Sequence, residues 1–219
     1  MSMTGLISSR DRISLAAKEL FAKNGYENTS TVAIARQAGT SESQLMKHFG
    51  SKQGLLFAIL DQGWTAILRR AYSLTSAPHR SPQSLIDVLE SYIVELEQDS
   101  AMKSLMVMES RRARRDDAGS TSSGEGSQQF GSLIESVLRD LKNQGALRQD
   151  LNLTATRAAL FGMLEGLLFE EVLNIRNQRA SLYTPDGVRR VVEAFVSSLM
   201  NDHVVSEGER HSTDWSHAD

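Results

Sequence analysis

The 219-residue chain contains no cysteine and only three prolines. Without cysteine it can form no disulfide, no thiolate nucleophile and no zinc site with sulfur ligands. The sequence has no uninterrupted apolar run of about 18 residues, the length that a helix needs to cross a bilayer. No charged-then-apolar signal peptide opens it either. We therefore expect a soluble, cytoplasmic protein.

The motifs of the common enzyme classes are also missing. There is no G-x-S-x-G nucleophile elbow, no H-E-x-x-H pair, no phosphate-binding P-loop and no dinucleotide fingerprint. His203, His211 and His217 lie near carboxylates, but they lack regular ligand spacing. His211 and His217 also belong to a polar tail, 204–219, that we predict to be disordered, and His203 directly precedes it. The sequence thus predicts neither an enzyme, nor a cofactor, nor a metal site.

Charge is distributed unevenly along the chain. The net charge is −3 overall, whereas residues 1–55 carry seven Lys or Arg and four Asp or Glu, a net +3, which leaves −6 for the remainder. A basic region attached to an acidic body is typical of nucleic-acid binding, although an ordinary solvated surface can have the same composition. A second basic run, 111–115, is more simply explained by pairing with Asp116 and Asp117 than by a second nucleic-acid surface.

Apolar residues recur at helical spacing, and no strand pattern or internal repeat is present. Pro82 and Pro185 fit first helical positions, while Gly25 and Gly145 follow helix ends. We predict an all-α protein of about nine helices: 8–24, 31–38, 41–49, 52–74, 82–96, 100–115, 130–144, 153–176 and 185–200. The stretch 116–129 has almost no apolar residue and is predicted to be a mobile loop.

The stretch 29–52 predicts two short helices joined by a tight turn. Gly39 can end the first helix in a left-handed conformation, and Ser41 with Gln44 forms a capping box for the second. In the second helix Leu45 and Phe49 face inward. Its outward side is polar and basic: Ser43, Gln44, Lys47 and His48. This arrangement is helix-turn-helix geometry.

Residues 10–60 resemble the DNA-binding head of the tetracycline-repressor (TetR) family of bacterial transcription regulators. The match covers about a quarter of the chain and rests on Ile13, Ala16, Ala17, Leu20, Phe21, Gly25, Tyr26, Thr29, Ser30, Ile34, Ala35, Ala38, Gly39, Ser41, Leu45, His48, Phe49, Ser51, Lys52 and Leu55. The resemblance implies a three-helix DNA-binding domain followed by a helical effector-binding and dimerisation domain. We place these domains at 8–52 and 53–203.

The resemblance also implies which side chains contact the DNA backbone: Thr29, Ser30, Thr31, Gln44, His48 and Lys52. The hydroxyls of 29–31 could instead simply cap the first short helix. The chain departs from the family at Val32, where relatives often carry an arginine, and at Met46, where the family usually has a tyrosine that reaches phosphate.

Glu42, Ser43 and Lys47 are predicted to read bases. Lys47 can donate to guanine O6 and N7, and Glu42 can accept from cytosine N4. Glu42 could alternatively serve only to stabilise the N-terminus of its helix, where negative charge is favourable.

An effector site is predicted in the second domain. Side chains from four helices share inward faces on helical wheels: Trp64, Leu68, Tyr92, Met102, Met106, Phe161 and Leu168, with Glu165 as a polar member. Such residues line adaptable apolar sites, but each could also fill an ordinary core. The resemblance implies that relatives bind small molecules here and that helix 52–74 transmits the change, so we expect a mostly apolar effector.

Helix 153–176 is apolar nearly all round, which indicates burial on several sides and hence a partner. Its small residues, spaced four apart, would let a second helix approach closely. The predicted homodimer interface comprises Ala158, Gly162, Gly166, Val192, Phe195 and Leu199.

These features together predict a homodimeric, ligand-responsive regulator that binds a palindromic double-stranded DNA operator and acts as a repressor. The alternative is a helical small-molecule carrier with no DNA role, which the departures at Val32 and Met46 leave open.

Overall fold

The computed structural model describes residues 8–75, 79–113, 124–180 and 184–201. Within these ranges it contains α1 (Ser9–Asn24), α2 (Thr31–Gln37), α3 (Glu42–Phe49), α4 (Lys52–Leu74), α5 (Pro82–Glu97), α6 (Ser100–Ala113), α7 (Gly124–Asn143), α8 (Leu153–Arg176) and α9 (Pro185–Leu199). The predicted all-α fold and its nine helices are confirmed for this part of the chain. No helix in these ranges is long and apolar enough to cross a membrane. The predicted disordered tail, 204–219, lies outside the described residues.

Side-chain caps begin the helices where the sequence indicates. The hydroxyls of Ser8 and Thr184 and the amide oxygen of Asn152 each accept a hydrogen bond from the backbone N–H three residues further on. These caps satisfy amides that have no partner within the helix. Gly25 and Gly145 follow α1 and α7 with φ of +82° and +74°, which glycine adopts without a Cβ penalty.

Helix α7 begins earlier than predicted, so the predicted loop 116–129 is wrong from Gly124 onward. A Cβ placed on Gly126 would lie 2.4 Å from Cβ of Trp64. The absence of a side chain therefore lets the first turn of α7 lie directly against this indole, and packing outweighs the low apolar content of the segment. Residues 114–123, with Asp116 and Asp117, lie outside the described ranges, so the pairing predicted for the basic run is not described.

The chain divides into two compact units. Unit 1 comprises Met1–Ile67 and Glu95–Ser127, and unit 2 comprises Leu68–Val94 and Gln128–Asp219. Helices α4, α5 and α7 each contribute residues to both units. The proposed domain boundary at residue 52 coincides with the start of α4, which lies inside unit 1.

The core of unit 1 forms where α1 packs across α2 and α3. Ile13, Ala17, Phe21, Ile34 and Leu45 are all essentially inaccessible to solvent. Burying each of the large side chains contributes about 1.5–3 kcal/mol relative to exposure, so these five hold the three short helices at fixed angles.

Helix α4 begins in direct backbone contact with the end of α3. A Cβ on Gly54 would lie 2.3 Å from the carbonyl oxygen of Phe49. The hydroxyl of Ser51 accepts from the N–H of Gly54 at 2.9 Å and caps this helix. Only glycine fits this approach, which fixes the first turn of α4 against α3.

Helix α6 packs against α1 and α4 within unit 1. Cβ of an alanine at position 63 would lie 2.7 Å from Sδ of Met106 and 2.9 Å from Sδ of Met102, so Gly63 marks a close approach of α4 to α6. At its N-terminus, α6 is joined to α1 by an ion pair between Lys18 and Asp99.

Unit 2 has a core of helical side chains around three aromatic rings. Tyr92, Phe130 and Phe161 lie 5.5, 5.6 and 5.9 Å apart between ring centroids. The segment after α7 closes against the end of α9, where the backbone N–H of Arg148 donates to the Leu199 carbonyl at 3.1 Å.

Candidate DNA-binding site

The turn between α2 and α3 has the geometry that the sequence predicts. Gly39 adopts a φ of +62°, and the hydroxyls of Ser30 and Ser41 accept from the backbone N–H groups of Ala33 at 3.1 Å and Gln44 at 3.2 Å. Both short helices therefore begin with a satisfied serine cap on the unit 1 surface.

The outward side of α3 presents the predicted polar residues to solvent. Glu42, Ser43, Gln44 and Lys47 are exposed, whereas Leu45 is fully buried. Because Ser43 and Lys47 are four apart on one helix, they lie on the same exposed face. This face supplies hydroxyl and ammonium donors and, from Glu42, a carboxylate acceptor.

The capping box is only half formed. The Ser41 hydroxyl accepts from the Gln44 backbone N–H, but the side chain of Gln44 makes no hydrogen bond to any described residue. Its amide is thus available to a ligand, as the resemblance to phosphate-contacting positions implies.

Thr29 does not belong to the exposed surface, and its prediction as a DNA contact is wrong. The residue is 2% exposed, and its hydroxyl donates to the carbonyl of Gly25 at 2.8 Å, with the carbonyl of Leu20 3.3 Å away. This buried hydroxyl closes the loop between α1 and α2. Ser30, the next residue, is exposed.

Thr31 and Glu42 are the first residues of α2 and α3, and their side chains meet. The Thr31 hydroxyl donates a hydrogen bond to Oε1 of Glu42. The contact joins the starts of the two helices at the surface that carries the other polar residues.

His48 and Lys52 are both partly engaged within unit 1. Nε2 of His48 lies 2.9 Å from the hydroxyl of Ser9 at the start of α1. The ammonium of Lys52 donates to the carbonyls of Tyr26 at 2.9 Å and Thr29 at 3.0 Å, and it lies 4.2 Å from the centroid of the Tyr26 ring. Lys52 therefore fastens the α1–α2 loop to α4 with two of its three donors.

Two structural contacts of the head were not foreseen from the sequence. The guanidinium of Arg10 lies 5.5 Å from the ring centroid of Phe49, and Nε of Arg12 donates to the carbonyl of Ala38 at 3.1 Å. Their only sequence signal is their position in the first turn of α1, and it does not distinguish structural from DNA-facing arginines.

Val32 and Met46 are exposed by 61% and 40%. The surface therefore contains two apolar side chains at the positions where the resemblance implies arginine and tyrosine.

The residues predicted to bind an effector are distributed over both units. Trp64 and Met106 are buried and Met102 is half-buried in unit 1. In unit 2 Leu68, Tyr92, Glu165 and Leu168 are buried and Phe161 is half-buried. Glu165 is 4% exposed, so its carboxyl group belongs to the interior of unit 2.

Part of the predicted dimer face is exposed in unit 2. Ala158 and Gly162 are exposed, and a Cβ on Gly162 or Gly166 would meet no atom within 4 Å. Val192 is fully buried and Leu199 nearly so. Those two predictions are wrong as surface contacts, because α9 turns them into the core of its own unit. Phe195 is half-buried, and the neighbouring Val191 is 45% exposed.

The geometry of unit 1 defines a helix-turn-helix DNA-binding head. Residues 13–59 match the family model for bacterial regulatory proteins of the tetR family. The HTH-type transcriptional regulator UidR of Escherichia coli (strain K12) is 26% identical over 161 residues, which cover 73% of this chain and 80% of UidR.

Solved structures of similar fold include two regulators named FadR. The fatty acid degradation regulator FadR from Bacillus halodurans has a TM-score of 0.73 at 17% identity, covering 88% of this chain and 96% of that one. FadR from Bacillus subtilis, solved with stearoyl-CoA, has a TM-score of 0.71 at 19% identity, with coverages of 84% and 96%. The chain is a transcriptional regulator whose DNA-binding head, residues 13–59, is of the tetR family.

Proposed function

We propose that this regulator binds a palindromic operator as a homodimer, acts as a repressor, and loses DNA affinity when a small, mostly apolar effector binds. The observation that carries the DNA-binding part is the exposed face of α3. It presents Ser43, Gln44 and Lys47 beside two serine-capped helix starts. Residues 8–52 serve as the DNA-binding domain in this proposal, and 53–203 as the effector-binding and dimerisation domain.

The side chains divide into base-reading and backbone-contacting groups. Lys47 donates to guanine O6 and N7 in the major groove, with Ser43 beside it. Gln44, Ser30, His48 and the third donor of Lys52 contact phosphates, which set the register of the head but carry no sequence information.

Dimerisation uses the small-residue face of α8. With open space above Gly162 and Gly166, a helix of a second copy can approach closely there, joined by Ala158 and by Phe195 of α9. A two-fold dimer would present its two recognition helices about 34–36 Å apart, or a multiple of that spacing, to match successive major grooves.

The effector proposal draws on B. subtilis FadR, which was solved with stearoyl-CoA. In this chain, unit 2 holds a mostly apolar set with one carboxyl group: Leu68, Tyr92, Phe161, Glu165 and Leu168. We assign effector binding to that set, while Trp64, Met102 and Met106 pack around α4 and α6 in unit 1. The effector releases DNA only if it binds the DNA-free state more tightly, because equal affinity for both states shifts no equilibrium.

Selection of DNA from a random pool by the pure protein tests the operator proposal. A palindrome of two half-sites is the expected product. If lipophilic compounds stabilise the protein but the protein selects no DNA sequence, it is the small-molecule carrier instead.

A thermal-shift screen of lipophilic compounds and long-chain acyl-CoA esters, followed by anisotropy on labelled operator, tests the effector. A stabilising compound should weaken operator binding, and Phe161→Ala should abolish both effects. Phe169→Ala, two turns further along α8, is the matched control.

A further inference from the structure

We propose that Thr31 is a positioning residue that holds Glu42 for reading cytosine, so that the pair selects a C·G base pair at one position of each operator half-site. The inference rests on the proposed DNA-binding function and adds a specificity determinant to it. The observation behind it is the hydrogen bond from the Thr31 hydroxyl to Oε1 of Glu42.

The Thr31 hydroxyl can donate to only one acceptor at a time. A threonine hydroxyl has one proton, and here Glu42 receives it. A DNA phosphate is also an acceptor only. Thr31 therefore cannot donate to a phosphate and to Glu42 at the same time. The resemblance implies that the Thr31 hydroxyl contacts the DNA backbone. That contact and the hydrogen bond to Glu42 are mutually exclusive in the DNA-bound state.

Glu42 places a negative charge on the surface that is proposed to bind DNA. Charge repulsion from phosphates disfavours an acidic side chain on a DNA-binding surface, and a position in the first turn of α3 offsets this only partly. A carboxylate that only stabilises the start of its helix needs no hydrogen bond to a side chain of another helix. The additional bond to Thr31 restricts an exposed glutamate to few rotamers before any DNA arrives, which lowers the entropy lost on binding.

The acceptor character of the Glu42 carboxylate determines which base it can read. An ionised carboxylate only accepts, so in the major groove it needs the N4 amino group of cytosine or the N6 amino group of adenine. Adenine carries the N7 acceptor beside N6, and a carboxylate is repelled there. Cytosine itself presents only the N4 donor in the groove. Oε1 of Glu42 accepts the hydrogen bond from Thr31. The other carboxylate oxygen accepts no hydrogen bond from any described residue. Glu42 can therefore offer that oxygen to cytosine.

The test compares selected sequences and affinities for four variants. Glu42→Gln should move the preference at one position per half-site from C to A, because an amide both donates to N7 and accepts from N6. Thr31→Val, which keeps shape but loses the hydroxyl, should reduce discrimination for C at that position about fivefold. Thr31→Ser should restore it. Thr65→Val, at an exposed threonine of α4, should change nothing.

Binding to random DNA separates positioning from phosphate contact. If Thr31 acts through Glu42, Thr31→Val leaves random-DNA affinity and its salt dependence within about twofold of wild type, and adds nothing to Glu42→Gln in the double variant. An equal loss on selected and random DNA, or an unchanged preference at every position, overturns the proposal.

These outcomes are distinct from failure of the proposed function, in which the wild-type protein selects no palindrome and the inference falls with it. Thermal melting of each variant checks folding. If Thr31→Val does not fold, Thr31→Ala and Glu42→Gln decide the question with the same readouts.

Discussion

Asp99 receives hydrogen bonds from Lys18 of α1 and, at 2.9 Å, from the backbone N–H of Met102. One carboxylate thus caps α6 and joins it to the first helix of the DNA-binding head. The two ion-paired residues are 81 positions apart. Any rearrangement of the start of α6 must therefore break this pair or carry α1 with it.

We expect the Lys18–Asp99 pair to make unfolding pH-dependent. Burial raises the pKa of Asp99, but the hydrogen bonds from Lys18 and Met102 outweigh it and hold the pKa below its ordinary value. A lowered pKa in the folded state stabilises the protein fully above the unfolded pKa of about 3.9. That contribution is lost as pH falls through the folded value.

The measurement is denaturant unfolding of Asp99→Asn, which keeps the cap but removes the charge. The variant should be less stable by about 0.5–1 kcal/mol near neutral pH, a modest value because the pair is partly solvated. The deficit should shrink below about pH 4. Asp61→Asn, an exposed carboxylate of α4, is the control, and a deficit that stays constant with pH would contradict the assignment.

Gly54→Ala should disturb the head at the junction of α3 and α4. The added Cβ would lie 2.3 Å from the Phe49 carbonyl oxygen, so a backbone must move. We expect a loss of about 1–3 kcal/mol in the free energy of unfolding and weaker operator binding, because α3 shifts. Gln53→Ala, one residue earlier and exposed, should do neither. If Gly54→Ala were as stable as the wild-type protein, the junction between α3 and α4 would not be rigid, and the prediction would be wrong.

Lys47 and Lys52 should respond differently to truncation. Lys47→Ala should cost about 1–3 kcal/mol on the selected operator and relax one base position, with little effect on stability. Lys52→Ala should weaken selected and random DNA alike and also lower unfolding stability by about 1–3 kcal/mol, because two carbonyls lose a charged donor. Lys23→Ala, exposed in the last turn of α1, is the reference. Similar profiles for both variants on both DNAs would refute base reading by Lys47.

Gly166→Leu should weaken the homodimer while leaving the protomer folded. Space above the glycine accommodates a side chain within one copy, so the substitution clashes only with a partner helix. Sedimentation should show a shift toward monomer at micromolar concentration, with circular dichroism unchanged. A wild-type protein that is itself a stable monomer would remove the basis of the dimer proposal.

The helices and the DNA-binding head could be predicted from the sequence because their determinants are local. Apolar spacing, the serine caps and Gly39 act within a few residues, and all appear where expected. The wrong predictions concern side-chain direction within correctly placed elements. Spacing does not reveal that the Thr29 hydroxyl turns inward to Gly25.

Contacts between distant segments were beyond sequence reasoning. The periodicity of α9 is compatible with two apolar faces, and only packing decides that Val192 points into its own unit. The early start of α7 depends on the closeness of Gly126 to Trp64, which no local propensity encodes. The link between Thr31 and Glu42 likewise needs the angle between two helices.

Val32 and Met46 give this surface two exposed apolar side chains that neutralise no phosphate. The missing charged contact at Val32 removes about 0.9 from the exponent with which DNA affinity falls as salt rises, and a dimer doubles the effect. The tyrosine absent at Met46 carries no charge, so its loss leaves the exponent unchanged. Operator binding would then change less steeply with the salt concentration of the cell. When potassium accumulates under osmotic stress, operator affinity would therefore fall by a smaller factor than that of a more heavily charged relative.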